Sequence, residues 1–359
     1  MAPERTRACL SIRYQQDNAQ RSRAGRSTGA FVTRSEIDRL AGLATAALPL
    51  WDVPPDATAR LINLSENATY LVEAPCGFRS VLRIHRDGYH TRRGIECELA
   101  WMEALGRSGG VATPRPIAGL DGALIQQRGH ADLTPRRMVM FEFLAGREPD
   151  PGDDLAQPFH QLGAIAAKTH LHAISWMRPA PFERLTWDDE AVFGSTPTWG
   201  DWRDGPGVDT NVAATLQAAE HLVRRRLAAY GRSQERYGLI HADMRLANLL
   251  IDGDDTRLID FDDCGFGWFM YDFAAGISFM EDHPQVPALR AAWVAGYRGV
   301  RPLDEEDERE IDSFIMLRRL ALLAWIGSHA DTDLARSQAP HFASVTAQLA
   351  SAYLQRFAS

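Results

Sequence analysis

From residue 58 to residue 85, short aliphatic and β-branched runs alternate with turn residues. The runs are 58–64, 69–73 and 79–85, separated by Ser65-Glu66-Asn67 and Pro75-Cys76-Gly77. This rhythm predicts three strands joined by tight turns. It then changes: Glu98, Leu99, Trp101, Met102 and Leu105 recur at helical intervals and predict a helix with one buried face. Residues 137–144 (RMVMFEFL) form another apolar strand, stopped by Ala145-Gly146. Beyond Gly146 the pattern lengthens into helices, with 161–172 and 311–326 the plainest. Near the front, Ile37, Leu40, Leu43 and Leu48 mark one side of a helix, and Thr33-Arg34-Ser35-Glu36 has the form of a capping box. Residues 1–30, aperiodic and rich in Arg, Gln and Ser, predict a disordered tail. There is no internal repeat.

Composition narrows the class. The 359 residues are 45% hydrophobic and 24% charged, enough for a large core divided into two lobes. A net charge of −8 argues against a nucleic-acid partner. No apolar run reaches the roughly 18–20 residues of a membrane span, and the opening residues lack the apolar core of a signal peptide. Cys9, Cys76, Cys97 and Cys264 show no zinc spacing and read as reduced thiols, so the expected location is cytoplasmic. Lys168 is the only lysine in the sequence.

The candidate chemistry lies between residues 239 and 274. His241, Asp243 and Asn248 form H-x-D-x(4)-N. Leu249-Leu250-Ile251, the turn Asp252-Gly253-Asp254-Asp255 and a returning run from Arg257 to Asp263 follow. Two apolar runs around an Asp/Gly turn predict a hairpin that gathers Asp243, Asn248 and Asp260. Phosphoryl transfer needs positioning and charge neutralisation more than covalent help. Asp243 suits the carboxylate that orients an attacking hydroxyl and accepts its proton. Mg²⁺ prefers hard oxygen ligands, which Asn248 and Asp260 supply. On a helix, Asp243 and Asn248 would point roughly 140° apart, so the motif requires a loop. Strand alternation would put Asp260 and Asp262 on one face, where two carboxylates repel unless a cation separates them.

HADMRLANLLI, LIDFDD and the downstream Tyr271-Asp272-Phe273-Ala274 resemble the aminoglycoside phosphotransferase superfamily, which includes choline kinases, type II homoserine kinases and a bacterial stress-response kinase. The resemblance spans residues 40–330. It implies an α+β, two-lobed protein-kinase-like fold, with an N-terminal antiparallel β-sheet lobe at 31–143 and a mainly α-helical C-terminal lobe at 144–359. It also implies an ATP- and Mg²⁺-dependent phosphotransferase acting on an alcohol group. By the same resemblance, Ser65 and Asn67 belong to a nucleotide-covering hairpin. Arg83 stands where kinases carry the phosphate-binding lysine, with Glu98 as its partner and Glu96 as the fallback; arginine keeps the charge and adds a fork geometry. The strand carrying Glu142 and Leu144 is the hinge that holds adenine through its backbone. Asn248, Asp260 and Asp262 form the metal set, and Asp272 braces the catalytic loop through backbone amides. Arg245 occupies the slot of the catalytic-loop lysine, either touching the transferred phosphoryl or pointing to solvent. His241 reads as a packed structural histidine, and His170 and His172, two apart on a helix, are not a metal pair.

The acceptor is less legible. The segment 183–212 carries Trp187, Asp188, Asp189, Glu190, Trp199, Asp201 and Trp202. Aromatics with carboxylates suit a cationic substrate; the other reading is a surface loop whose tryptophans pack on the helical lobe. Asp263 and Trp268 are further candidates. The expected function is a small-molecule kinase acting on an amino alcohol or hydroxy-amino acid. The alternatives are a protein serine/threonine kinase of the stress-response type and a non-catalytic nucleotide-binding module.

Overall fold

The computed structural model describes residues 34–357 except 66, 109 and 132; the expected tail at 1–30 and Thr33 of the expected capping box lie outside them. Helix α1 (Arg34–Ala47) leads into strands β1 (Thr58–Leu64), β2 (Asn67–Glu73) and β3 (Arg79–His85). β1 and β3 coincide with the predicted runs. β2 starts two residues early because Asn67 and Ala68 pair with His85 and Ile84. Helix α2 (Arg92–Arg107) is capped by Thr91, whose side chain accepts from the Gly94 amide, a contact worth about 1 kcal/mol. Strands β4 (Pro116–Ile117), β5 (Gln126–His130) and β6 (Leu133–Glu142) complete an antiparallel sheet of order β1-β2-β3-β6-β4, with β5 on β6. The strand predicted at 137–144 is displaced. Pairing with β5, a polar strand without an apolar signature, extends it back to Leu133, and it ends at Glu142, whose amide donates to Arg115 O at 2.8 Å.

Alternation along the sheet decides where the chemistry points. Met138 and Met140 of β6 and Leu82 and Ile84 of β3 pack with Leu43, Ala44 and Trp51 on the α1 side. Val139 and Phe141 face the other way, into a core shared with Leu99 and Met102 of α2 and with the rest of the chain. Arg83, between Leu82 and Ile84, is therefore forced onto the α2 side.

The second lobe runs through α3 (Ala156–Ser175), β7 (Leu185–Trp187), α4 (Asp189–Phe193), α5 (Thr210–Tyr230), β8 (Tyr237–Ile240), β9 (Leu249–Asp252), β10 (Asp255–Leu258) and β11 (Gly265–Trp268). It ends in α6 (Tyr271–Gly276), α7 (Val286–Arg298), α8 (Glu305–Ser328), α9 (Asp333–Gln338) and α10 (Phe342–Phe357). β9 and β10 are the predicted hairpin, in register from Leu249↔Leu258 to Asp252↔Asp255. α3 and α7 meet backbone to backbone: a Cβ on Gly163 would lie 2.0 Å from Trp293 O, and one on Gly296 would lie 1.8 Å from His160 O. The tryptophans of the 183–212 segment pack on this lobe. Trp187 donates to Asp263 O at 2.7 Å and Trp202 to Glu220 at 2.9 Å, both from buried positions.

Candidate active site

β8 delivers the chain to His241, and there the strand breaks into a loop. Fully buried Asp272, in the first turn of α6, accepts from the amides of His241 (3.2 Å) and Ala242 (2.7 Å). Ala242 is held at φ +66°, a region a side-chain-bearing residue seldom enters, so the Asp272 clamp stabilises an otherwise costly turn. His170 of α3 completes the brace, its Nε2 lying 2.9 Å from Asp272 Oδ2. Burial lowers the His170 pKa, which leaves the ring neutral. A carboxylate only accepts, so Nε2 carries the proton and Nδ1 accepts from the Tyr297 hydroxyl at 3.0 Å. His241 is buried against Phe261, in the packed role expected of it.

Asp243 leaves this turn with three donors on its carboxylate. Asn248 Nδ2 (2.7 Å) and Arg245 Nε (3.2 Å) donate to Oδ2, and Arg318 Nη2 donates to Oδ1 at 2.7 Å. Burial pushes its pKa up, but Arg245 and Arg318 more than offset this and hold it below the usual carboxylate range. It stays ionised and can align a hydroxyl. Arg245 is half-buried and ion-paired rather than directed at solvent.

Across the cleft, Arg83 donates to Glu98 Oε1 at 2.5 Å and to Asp260 Oδ1 at 3.3 Å, with Asp262 Oδ1 at 3.7 Å. The pair expected from sequence is formed with Glu98. Glu96 instead pairs with Arg92 and Arg93. Ser65 and Asn67 line the cleft with Asn63, Thr69, Asp243, Arg245 and the three aspartates 260, 262 and 263. Asn67 Oδ1 also accepts from the Arg86 amide at 3.3 Å. At the expected hinge, the Glu142 amide is committed to Arg115 O, so that N–H is not available to a purine; Leu144 lies just beyond the strand end.

One expectation needs correction. Asp260 and Asp262 do not share a strand face, because β10 ends at Leu258 and Asp260 turns at φ +61°. They converge through that turn instead, with the Asp262 amide donating to Asp260 Oδ1 at 3.3 Å. Burial foremost pushes the Asp260 pKa up to about 6; Arg83 pulls against it, while the Asp262 and Asp243 charges add to the rise. Burial also acts upward on Asp262, but Arg83, His90 and His85 outweigh it and hold that carboxyl far below the usual range. His90 Nε2 stands 3.3 Å from Asp262 Oδ2.

The donor set suits a hard divalent cation. Asn248 spends both of its hydrogen bonds through Nδ2, which directs its carbonyl oxygen elsewhere. The buried Asp262 Oδ1 lacks a hydrogen-bond partner, and clustered carboxylates are relieved by a cation. No three His, Cys, Asp or Glu residues gather in a metal-binding group among the described residues; the set expected from the sequence is two carboxylates and an amide.

A second cleft, sharing Asp243, Arg245 and Asp263 with the first, is lined by Trp199, Phe279, Arg318, Leu322, Trp325 and Leu334. Of the tryptophans singled out in the sequence, Trp199 reaches this cleft. Trp268 does not; it is buried and donates to Gly231 O at 2.7 Å. Sequence reasoning missed Arg318, Phe279 and Trp325. A signal existed for the first: Arg318-Arg319 interrupts an otherwise apolar helical run, and buried arginines demand partners.

The two-lobed fold, with the Asp243 loop facing the Arg83–Glu98 pair, is that of a kinase-like phosphotransferase. Residues 58–311 match the phosphotransferase enzyme family, and the chain belongs to that family. It is an enzyme that transfers phosphoryl groups to hydroxyl acceptors. A solved microcompartment-associated aminopropanol kinase is similar at a TM-score of 0.81 and 44% identity, covering 88% of this chain and 98% of that one. The amicoumacin kinase of Bacillus subtilis (strain 168) is 24% identical over 235 residues, 63% of this chain and 67% of the relative. A solved amicoumacin kinase in complex with AMP-PNP, Ca²⁺ and Ami shares the fold at a TM-score of 0.71 and 20% identity, over 88% and 96% of the two chains. No helix among the described residues is long and apolar enough to cross a membrane.

Proposed function

We propose that this enzyme transfers the γ-phosphoryl group of ATP, with Mg²⁺, to the hydroxyl of a small amino alcohol. The observation that carries the reading is the position of Asp243 between two clefts. One is rich in aspartates beside Arg83 and suits a metal-bound triphosphate. The other is aromatic and carboxylate-bearing. Asp263 brings a carboxylate that can pair with an ammonium group, and Trp199, Phe279 and Trp325 give the cleft an aromatic lining. The likeness to an aminopropanol kinase points the same way.

In this reading the lobe at 31–143 holds the nucleotide and the lobe at 144–359 holds the acceptor. Arg83, anchored by Glu98, clamps the phosphates, with Ser65 and Asn67 above them and the backbone at Leu144 beside the base. Asn248, Asp260 and Asp262 hold the Mg²⁺, which when bound neutralises phosphate charge. Asp243 accepts the hydrogen bond of the acceptor hydroxyl, aligns it and takes its proton as the bond to phosphorus forms, while ADP leaves. Arg245, beside Asp243, is placed to meet the charge of the phosphoryl in transit.

The test is a phosphate-transfer screen over amino alcohols, hydroxy-amino acids and the matched diols without nitrogen, using ATP and Mg²⁺. Preference for an amino alcohol over its diol supports the reading. Equal turnover of diols, or turnover only of a protein substrate, overturns it.

A further inference from the structure

Arg318 lies just past the middle of α8, and its guanidinium is buried, the residue being 1% exposed. A charge taken out of water demands a counter-charge and hydrogen-bond acceptors. Its carboxylate partner is Asp243, reached from Nη2 at 2.7 Å. The remaining contacts are neutral: Nε donates to Ser278 Oγ at 3.0 Å, and Nη1 donates to Ala242 O at 3.2 Å and to the Tyr271 hydroxyl at 3.4 Å. The group also lies over the rings of Trp199 and Tyr271, 5.1 and 5.8 Å from their centroids. One side chain thus touches the carboxylate, the strained turn that carries it and the wall of the acceptor cleft.

An ionised carboxylate has about four lone-pair positions. Asn248 and Arg245 take two on Oδ2, and Arg318 takes one on Oδ1. The position left over is on Oδ1, the oxygen that Arg318 holds, and Asp243 and Arg318 both line the acceptor cleft. Ser278, tied to the same guanidinium, precedes Phe279, which stands at φ +69° and forms part of the cleft wall. On the far side of Phe279, buried Glu281 is ion-paired to Arg319, the next residue of α8. Two consecutive arginines therefore brace the aromatic wall from both flanks.

We propose that Arg318 is a positioning residue for phosphoryl transfer: it selects Asp243 Oδ1 as the atom that receives the acceptor hydroxyl and, through Ser278, sets the Phe279 wall against which that acceptor rests. This rests on the kinase reading of Asp243. It makes α8, far downstream of the catalytic loop, part of the machinery that orients the acceptor.

The experiment compares Arg318→Lys, Arg318→Met and Ser278→Ala, each also checked for folding by thermal melting and for MgATP binding by calorimetry. Misplacement of a reacting group costs up to about a hundredfold in rate. Arg318→Met is expected to lower kcat by about that factor with the KM for ATP within about twofold of wild type. Arg318→Lys restores part of the loss, because its ammonium reaches Asp243 but not all the neutral acceptors. Ser278→Ala is expected to raise the acceptor KM a few-fold and to lower kcat less than Arg318→Met does; a wild-type acceptor KM would take Ser278 out of the wall. In an Asp243→Asn background, Arg318→Lys has little further effect, since residues acting as one unit are not additive. Full additivity in that background overturns the proposal, as does an Arg318→Met enzyme that binds MgATP and keeps kcat within about threefold of wild type. Slow ATP hydrolysis, with water in the acceptor's place, uses the same carboxylate and reads the same comparisons if no alcohol is accepted. Failure of the substrate screen with a normal Arg318 effect on hydrolysis would therefore count against the amino alcohol and leave Arg318 in place. Should Arg318→Met fail to fold, the lysine variant and its double mutant decide.

Discussion

Arg83 and Glu98, fifteen positions apart in the chain, meet at 2.5 Å with both side chains buried. The pair ties β3 to α2 and leaves the rest of the guanidinium turned to Asp260 and Asp262. Truncating one partner strands the other charge, which costs about 3–5 kcal/mol in buried pairs. Arg83→Ala is expected to raise the KM for ATP about tenfold or more and to lower stability by several kcal/mol. Arg83→Lys keeps a point charge without the fork and retains partial activity. Steady-state kinetics with varied ATP, paired with denaturant melts, measures both effects. Wild-type kinetics in Arg83→Ala would assign the phosphates to another residue.

Asp243→Asn removes the charge that Arg318 and Arg245 surround while keeping the shape. Turnover is expected to fall by at least about a hundredfold, with nucleotide binding nearly unchanged. Retained turnover in a folded mutant that binds MgATP would take Asp243 out of the proton transfer.

Asp260 predicts a pH dependence. Its carboxyl is raised to about 6 in the folded protein against an ordinary value of 3.8. Between those values the folded state binds the extra proton, so without metal this group's contribution to stability falls as pH rises from about 4 to 6. A divalent cation competes for the same oxygens and binds the ionised form. The stabilisation given by Mg²⁺ should therefore grow as pH rises through 6, and Asp260→Ala should abolish that growth. Melting temperatures with and without Mg²⁺ at pH 5, 6 and 7 check this; a pH-independent Mg²⁺ shift would remove Asp260 from the ligand set.

Asp272 holds two successive amides and the proton on His170 Nε2. Replacing it with alanine leaves buried donors unsatisfied, at about 1–3 kcal/mol each. Asp272→Ala is expected to destabilise the protein by about 3 kcal/mol or more and to reduce turnover because the Ala242 turn relaxes. Chemical denaturation with an activity assay gives both numbers. A loss of less than about 1 kcal/mol would mean that the turn holds by itself.

The sequence made the local elements legible where apolar residues recur between turn signals: β1, β3, the β9–β10 hairpin and the apolar stripe of α2 all follow from that local pattern. It was poor where pairing partners decide, since β5 is polar and yet sets the start of β6. The loop residues Asp243, Asn248 and Asp260 were readable because their spacing and chemistry are local. For Arg318 the local pattern signals only a charge on an apolar helical run, because its partner Asp243 lies 75 positions away. The Asp260–Asp262 turn was misread as strand because alternation says nothing about a residue held at positive φ.

The single lysine has a practical consequence. Lys168 is exposed on α3 in the helical lobe, so the cleft beside Arg83, the proposed nucleotide site, offers a guanidinium and no side-chain amine. Acyl-phosphate nucleotide probes, which tag kinases by acylating a lysine beside the phosphates, would find nothing to react with there, since a guanidinium stays protonated and does not acylate under such conditions. With ATP bound beside Arg83 as proposed, this enzyme would go unlabelled in proteomic surveys built on that chemistry. Arginine-directed dicarbonyl reagents, blocked by bound ATP, are the complementary way to report occupancy of the same cleft.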